Sequence, residues 1–224
     1  MQIDLFDAQL TDGQGSEHFS ASTGTVHLLA DHRLILYPHF LSPRSAADFF
    51  SSIDASTPWW QGSLRIAGKQ IDVPRLQCWM GDPHCYFAYT GLGLSPEPWS
   101  EPVSEIRNLI EELTGVSYNC VLINKYRNKN DSVAWHADDE PQLGPSPQIA
   151  SLSLGGTREF QFKSKIAFAH EKRASRLMKY TLQLATGSLL IMEPGVQEHW
   201  LHRVPKSKLN VQPRINLTFR NIAK

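Results

Sequence analysis

From residue 121 to the C-terminus the chain is a succession of short runs rich in β-branched, aliphatic and aromatic residues, each closed by turn formers. Eight runs can be read, at about 121–127, 133–138, 149–154, 157–163, 179–184, 188–192, 199–204 and 214–221. Runs this short carry the composition of strands and leave no room for ordinary helices. Gly155-Gly156 predicts a tight hairpin between the third and fourth. Upstream, two segments read as helices. Ser42-Pro43 offers an N-cap and a proline at the first helical position, followed by Ala46, Phe49, Phe50 and Ile53 at helical spacing, with Pro58 as a stop. A second helix is expected from near Glu101-Pro102, with Val103, Ile106, Ile110 and Leu113 on one face and Gly115 at its end. Strands in this number after two helices predict a mainly β fold with flanking helices (α+β): a double-stranded β-helix, or jelly roll, with the helices packed outside. A β-sandwich without a pocket is the alternative, and the polar residues on the strands decide between them.

The length of 224 residues suits one domain with a full core. Residues 1–25 are polar and rich in Gly, Ser and Thr, and are expected to form a poorly ordered lead-in to a single domain spanning 26–224. Within it, 26–120 would supply helical support and 121–224 the jelly-roll core. Lys plus Arg and Asp plus Glu both number 22, so the formal net charge is zero and any binding of a polyanion must come from local patches. No apolar run is long enough to span a membrane, and the acidic start Met1-Gln2-Ile3-Asp4 lacks a secretory layout. A cytoplasmic monomer is expected, nuclear if the source is eukaryotic. Cys78, Cys85 and Cys120 make an odd count without CxxC spacing and read as packed thiols.

His136-Ala137-Asp138 places an imidazole and a carboxylate two residues apart, hence on one face of a strand. A third ligand could come from His199 or His202. Two histidines and one carboxylate with open positions form the set used by non-haem Fe(II) oxygenases. The pair alone is weak, because polar strand residues are more often surface or hydrogen-bonded groups. The other histidines read as structural or solvated. The last strand adds weight. In Arg214-Ile215-Asn216-Leu217-Thr218-Phe219-Arg220 the polar and apolar residues alternate strictly. Two inward arginines would be costly unless paired, and a dicarboxylate such as 2-oxoglutarate would pair them. An outward-facing basic strand remains the other reading. Asn124 and Tyr126 put an amide and a phenol on one face of an earlier strand, both able to bond a carboxylate.

Together these motifs resemble the AlkB family of dealkylating dioxygenases. The likeness is carried by Asn124-Lys125-Tyr126, by Trp135-His136-Ala137-Asp138-Asp139-Glu140, by His199-Trp200-Leu201-His202-Arg203-Val204-Pro205, and by Pro213 to Arg220. It runs from about residue 70 to the C-terminus. It is strongest to members that repair 1-methyladenine and 3-methylcytosine, through the HxDDE stretch and Pro74-Arg75.

The resemblance implies iron ligands His136, Asp138 and His202, the last chosen over His199 because it precedes x-x-P. It implies 2-oxoglutarate contacts from Asn124, Tyr126, Arg214, Asn216 and Arg220, with Arg214 on the far carboxylate and Arg220 on the one near the metal. The cofactors would be Fe(II), 2-oxoglutarate and O2, and the partner alkylated DNA or RNA. The implied reaction couples decarboxylation of 2-oxoglutarate to succinate with hydroxylation of an N-alkyl carbon, whose hemiaminal collapses to formaldehyde and the restored base. A base in a duplex must be flipped to reach such a site. Phe87-Ala88-Tyr89 resembles the nucleotide-recognition lid, with Phe87 and Tyr89 as stacking faces; Asp139, Glu140 and Arg75 are further candidate substrate contacts. Lys163, Lys165, Lys172, Arg173, Arg176 and Lys179 form a basic segment, joined by Lys206 and Lys208. Arg173 and Arg176 are its candidate nucleic-acid rim. A hydroxylase of a protein or small molecule, and an inactive nucleic-acid-binding module, are the competing readings.

Overall fold

The computed structural model describes residues 23–66, 68–89, 92–165 and 177–223. In chain order the elements are β1 (Thr25–Leu29), β2 (His32–Tyr37), α1 (Pro43–Ser56), β3 (Ser63–Ile66), β4 (Lys69–Asp72), β5 (Leu76–Gly81), β6 (Phe87–Tyr89), β7 (Leu92–Leu94) and α2 (Glu101–Thr114). Then follow β8 (Cys120–Tyr126), β9 (Val133–His136), β10 (Ile149–Gly155), β11 (Arg158–Ser164), β12 (Lys179–Leu184), β13 (Ser188–Met192), α3 (Val196–His199), β14 (Trp200–Val204) and β15 (Arg214–Arg220).

The eight strands expected after residue 120 all form, and they divide evenly between two sheets. β8, β10, β13 and β15 lie in a seven-stranded sheet of order β1-β2-β13-β10-β15-β8-β5, whereas β9, β11, β12 and β14 form a four-stranded sheet of order β12-β11-β14-β9. The chain passes repeatedly from one sheet to the other, as a jelly roll requires.

Gly155-Gly156 is therefore not the hairpin expected from its sequence. β10 pairs with β13 and β15, while β11 pairs with β12 and β14. The two glycines instead carry the chain across from one sheet to the other. Gly155 adopts φ +83°, and a Cβ there would stand 2.4 Å from the Pro213 carbonyl oxygen. A glycine pair signals a sharp turn, but it does not say whether the chain returns beside itself.

Residues 26–120 supply more than helices. β1, β2 and β5 extend the large sheet at both edges, and β3–β4 and β6–β7 form two small hairpins. These strands are short and mixed in polarity; β4, Lys-Gln-Ile-Asp, is exposed throughout, so no alternation marked it. Both helices form as expected. The Ser42 hydroxyl caps α1 by accepting from the Ser45 N–H at 3.1 Å, and α2 stops where Gly115 turns left-handed at φ 69°. None of the helices among the described residues is long and apolar enough to cross a membrane.

Two cores result. One lies between the helices and the outer face of the large sheet, where Phe49, Ile53, Ile106 and Ile110 meet Ile215, Leu217 and Phe219. The other fills the space between the sheets with Phe160, Phe162, Leu184, Leu190, Met192 and Trp200. β15 contributes Ile215, Leu217 and Phe219 to the first, and all seven of its residues are buried. The outward-facing reading of its arginines is thereby excluded. Gly155→Ala combines left-handed strain with a backbone clash and is expected to cost about 3 kcal/mol. Gly115→Ala, where nothing lies within 4 Å of the new methyl, meets only the strain, about 1 kcal/mol. Urea midpoints of the two variants test this contrast.

Candidate active site

His136 ends β9 and His202 sits in the middle of β14, and the two are direct partners in the antiparallel register. Their rings lie 4.3 Å apart. Asp138 falls just past the end of β9, so the expected strand through 138 stops two residues early, yet its carboxylate turns back to the same point. The nearest Asp138 oxygens stand 3.9 Å from His136 Nε2 and from His202 Nε2. One ligand atom from each of the three residues falls within a 4.8 Å cluster. His199 is elsewhere. It closes α3, bonds the Gly195 carbonyl through Nδ1 and faces His32 at 4.5 Å.

The chemistry of the donors suits a divalent metal. His136 Nδ1 lies 2.9 Å from the Ala134 carbonyl oxygen. A carbonyl only accepts, so Nδ1 carries the proton and Nε2 is left with its lone pair for a metal. His202 is 3% exposed, stacks on Phe160 at 5.2 Å, and its Nδ1 has no hydrogen-bond partner. Burial, reinforced by the neighbouring His136, holds its imidazole neutral, with a pKa of about 3. Burial alone would raise the pKa of Asp138. Arg220, through its charge and its hydrogen bond, opposes this first of all and brings it instead to about 2. The cluster thus presents an ionised carboxylate, the neutral imidazole of His202 and the Nε2 atom of His136, a donor set that suits a divalent metal.

Behind the cluster runs a cavity of about 420 Å³, whose walls include Asn124, Tyr126, Glu140, Asn216, Thr218 and Arg220. Arg220 Nη2 donates to Asp138 at 2.6 Å. Arg214 is fully buried beside the Tyr126 ring and donates through Nη2 to the Ser153 hydroxyl at 2.9 Å. Its Nε and Nη1 have no partner, and burial lowers its pKa to about 10. A buried guanidinium with idle donors is costly unless an anion completes it, and a carboxylate fits that fork. Asn124 accepts from Arg75 Nε at 2.8 Å through its amide oxygen, which leaves its NH₂ as the group it can offer. Asn216 is more fully engaged. Its NH₂ bonds Ser151 and the Leu152 carbonyl, and its oxygen accepts from Thr218.

The candidate substrate contacts divide. Glu140 lines the cavity, its Oε2 buried without a partner, and burial raises its pKa. Asp139 does not join it; it pairs with Lys165 at 2.8 Å on an exposed rim. Adjacent residues of extended chain point to opposite sides, so only one of the two acids could face inward. Arg75 lines the cavity and is held against Asn124, 5% exposed. The side chains of Phe87 and Tyr89, and Arg173 and Arg176 altogether, lie outside the described residues.

Two residues went unread in the sequence. Gln197, 1% exposed on α3, accepts the Asp138 N–H at 3.0 Å and so fixes the backbone that carries this carboxylate. Arg158, buried on β11, lies beside Tyr126. Neither sits in a motif, and only the juxtaposition of distant segments reveals them.

A family model described as the 2OG-Fe(II) oxygenase superfamily matches residues 33–220. The chain belongs to that family, whose name gives its cofactors as Fe(II) and 2-oxoglutarate. Within it the relatives are AlkB homologues. Mouse "DNA oxidative demethylase ALKBH2" is 35% identical over 97% of this chain and 96% of its own length, and the human protein of that name is 34% identical over 94% and 82%. Human "Alpha-ketoglutarate-dependent dioxygenase alkB homolog 3" is 38% identical over 85% of this chain; the match covers 66% of that relative, just under two thirds. The solved structure of OsALKBH1 superposes with a TM-score of 0.57 at 17% identity, covering 88% of this chain and all of that one, and so shares the fold.

Two outcomes are expected. The folded pKa values of Asp138 and His202 both lie below their ordinary values of 3.8 and 6.5. In each case the unfolded chain takes up the proton first, so acid favours unfolding. The metal-free protein should lose stability as pH falls from 6.5 towards 3 through His202, and from 3.8 towards 2 through Asp138. Urea unfolding at pH 7, 6 and 5 should show the first decline, and His202→Phe should flatten it. Gln197→Leu removes the acceptor behind Asp138 and should weaken Co(II) binding by about tenfold or more in a spectroscopic titration.

Proposed function

We propose that this protein is an Fe(II)- and 2-oxoglutarate-dependent dioxygenase that oxidatively demethylates N-alkylated bases, of the 1-methyladenine and 3-methylcytosine type, in DNA or RNA. The observation that carries the chemistry is the buried His136-Asp138-His202 cluster at the wall of a cavity that also presents Asn124, Tyr126 and Arg220. What directs it to a base is the likeness to relatives named DNA oxidative demethylase, extending over nearly the whole chain.

When bound, the iron and the 2-oxo acid would activate O2, one oxygen atom going to the N-alkyl carbon and the other to the 2-oxo acid, which leaves as succinate and CO2; the hemiaminal so formed releases formaldehyde. The chain's own work is placement. His136, Asp138 and His202 hold the metal. Arg214, with Nε and Nη1 idle, would take the far carboxylate of 2-oxoglutarate, helped by Tyr126 and the Asn124 amide. Arg220 keeps Asp138 ionised and offers positive charge to the carboxylate nearer the metal, while Asn216 stiffens the wall between the two arginines. Phe160 and Phe162 dry the His202 side of the site.

Glu140 suits a substrate that carries positive charge. Its unpartnered Oε2 faces a cavity next to the metal cluster, and a base alkylated at a ring nitrogen is cationic. Phe87 and Tyr89, together with the His136 ring, are assigned as the aromatic faces for a flipped base. Arg173 and Arg176 are assigned to the phosphate rim.

The deciding experiment incubates the protein with Fe(II), ascorbate, 2-oxoglutarate and a 1-methyladenine oligonucleotide, and follows the base by mass spectrometry. Loss of the methyl mass is expected in the wild type only with cosubstrate present, and in His136→Ala not at all. Consumption of 2-oxoglutarate with the base untouched would defeat the assignment to nucleic acid and point to a protein or small-molecule hydroxylase.

A further inference from the structure

Arg158 is 3% exposed, on β11, away from every recognised motif. Its guanidinium donates to three backbone carbonyls: Asn128 at 3.4 Å, Asp131 at 2.8 Å, and Pro205. Among the described residues it forms no ion pair. The nearby Asp131 carboxylate is taken up by Arg127, through the backbone N–H at 2.9 Å and the guanidinium at 2.8 and 3.0 Å. Carbonyl dipoles solvate the charge of Arg158, and the Asp131 carboxylate, already paired with Arg127, offsets it in part.

That charge lies close to a second one. The Cζ atoms of Arg158 and Arg214 each stand 5.4 Å from the centre of the Tyr126 ring. The two guanidinium groups repel, and Arg158 is one of the influences that lower the pKa of Arg214. Arg214 likewise has no carboxylate partner among the described residues. Two buried, like-charged groups around one phenol ring are unfavourable unless an anion completes them. Tyr126 forms part of the cavity wall; Arg158 does not.

We infer that Arg158 is a positioning residue for the far carboxylate of the 2-oxo acid, backing the Tyr126 ring and adding a second positive charge beside Arg214. The three carbonyls it binds come from the segment after β8, which carries Tyr126, and from the segment after β14, which carries His202. Arg158 therefore ties the cosubstrate wall to the metal wall, and its charge acts on the far carboxylate without touching it. This inference rests on the dioxygenase reading above.

The test compares two ligands that differ in that carboxylate alone: 2-oxoglutarate, and 2-oxobutyrate, which has hydrogen in its place. Dissociation constants are measured by calorimetry on Fe(II)-loaded protein without oxygen, so that turnover plays no part. Arg158→Gln should weaken 2-oxoglutarate by about tenfold, the effect of one unit charge at close range in a partly screened interior, and change 2-oxobutyrate by less than about twofold. Arg158→Lys, which keeps the charge but loses the fork, should restore most of the discrimination. Arg158→Met keeps an apolar stem and takes the place of the Gln variant if that one fails to fold. Equal weakening of both acids, or no change in either, would overturn the inference by reducing Arg158 to a loop clamp. Failure of the wild type to bind 2-oxoglutarate in the presence of Fe(II) would instead remove the dioxygenase reading, so the two failures are distinct.

Discussion

Arg220 and Asp138 meet at 2.6 Å where both side chains are nearly sealed from water. A bare carboxylate in that place would be driven towards its neutral form, and a bare guanidinium would be strongly disfavoured. Each makes the other tolerable. The pair also joins the last strand of the large sheet to the segment leaving the edge strand of the small one, so a single contact spans the two sheets. Asp138 remains charged because of it, and a charged Asp138 facing two imidazole rings is what makes the cluster a site for a divalent cation. Breaking one half of such a pair costs far more than the pair contributes, because the remaining charge is left stranded.

β15 shows how the fold accommodates this. Its apolar residues anchor it to the helices through Phe219, Leu217 and Ile215, at the centre of the large sheet. That anchoring fixes the opposite face, which carries Arg214, Asn216, Thr218 and Arg220 towards the space between the sheets. The three-point clamp of Arg158, the Ser151 and Ser153 hydroxyls and the Gln197 amide then lock the polar wall from outside. Core packing thus fixes the register, and the register places the charges.

The two ends of the cavity are held differently. The metal end is close to satisfied within the chain, since Asp138 has its cation and His136 has its carbonyl. Behind Tyr126, which lines the cavity, sit the positive charges of Arg214 and Arg158, while Glu140 on another part of the wall lacks a partner for Oε2. Positive charge behind one wall and an idle acceptor on another suit a carboxylate at the first and a cation at the second. That polarity agrees with a 2-oxo acid cosubstrate and an alkylated base.

The strands after residue 120, both helices and the metal set were legible because each follows a local rule: alternation, capping, or a HxD spacing with a distal histidine. Even the choice of His202 over His199 required the family likeness, since both sit in one short stretch and only the paired register of β14 and β9 puts His202 opposite His136. Crossing between sheets at Gly155-Gly156, the three added strands of the large sheet, the outward turn of Asp139 and the roles of Gln197 and Arg158 were not legible. Each depends on which distant segment arrives beside it. The sequence by itself determined the β-rich class, the amphipathic faces and the identity of the charged groups, because these follow from period and chemistry along the chain. Only the tertiary structure decided which of those charges are buried, which are neutralised and which remain open to a ligand, because desolvation and pairing are properties of neighbours in space.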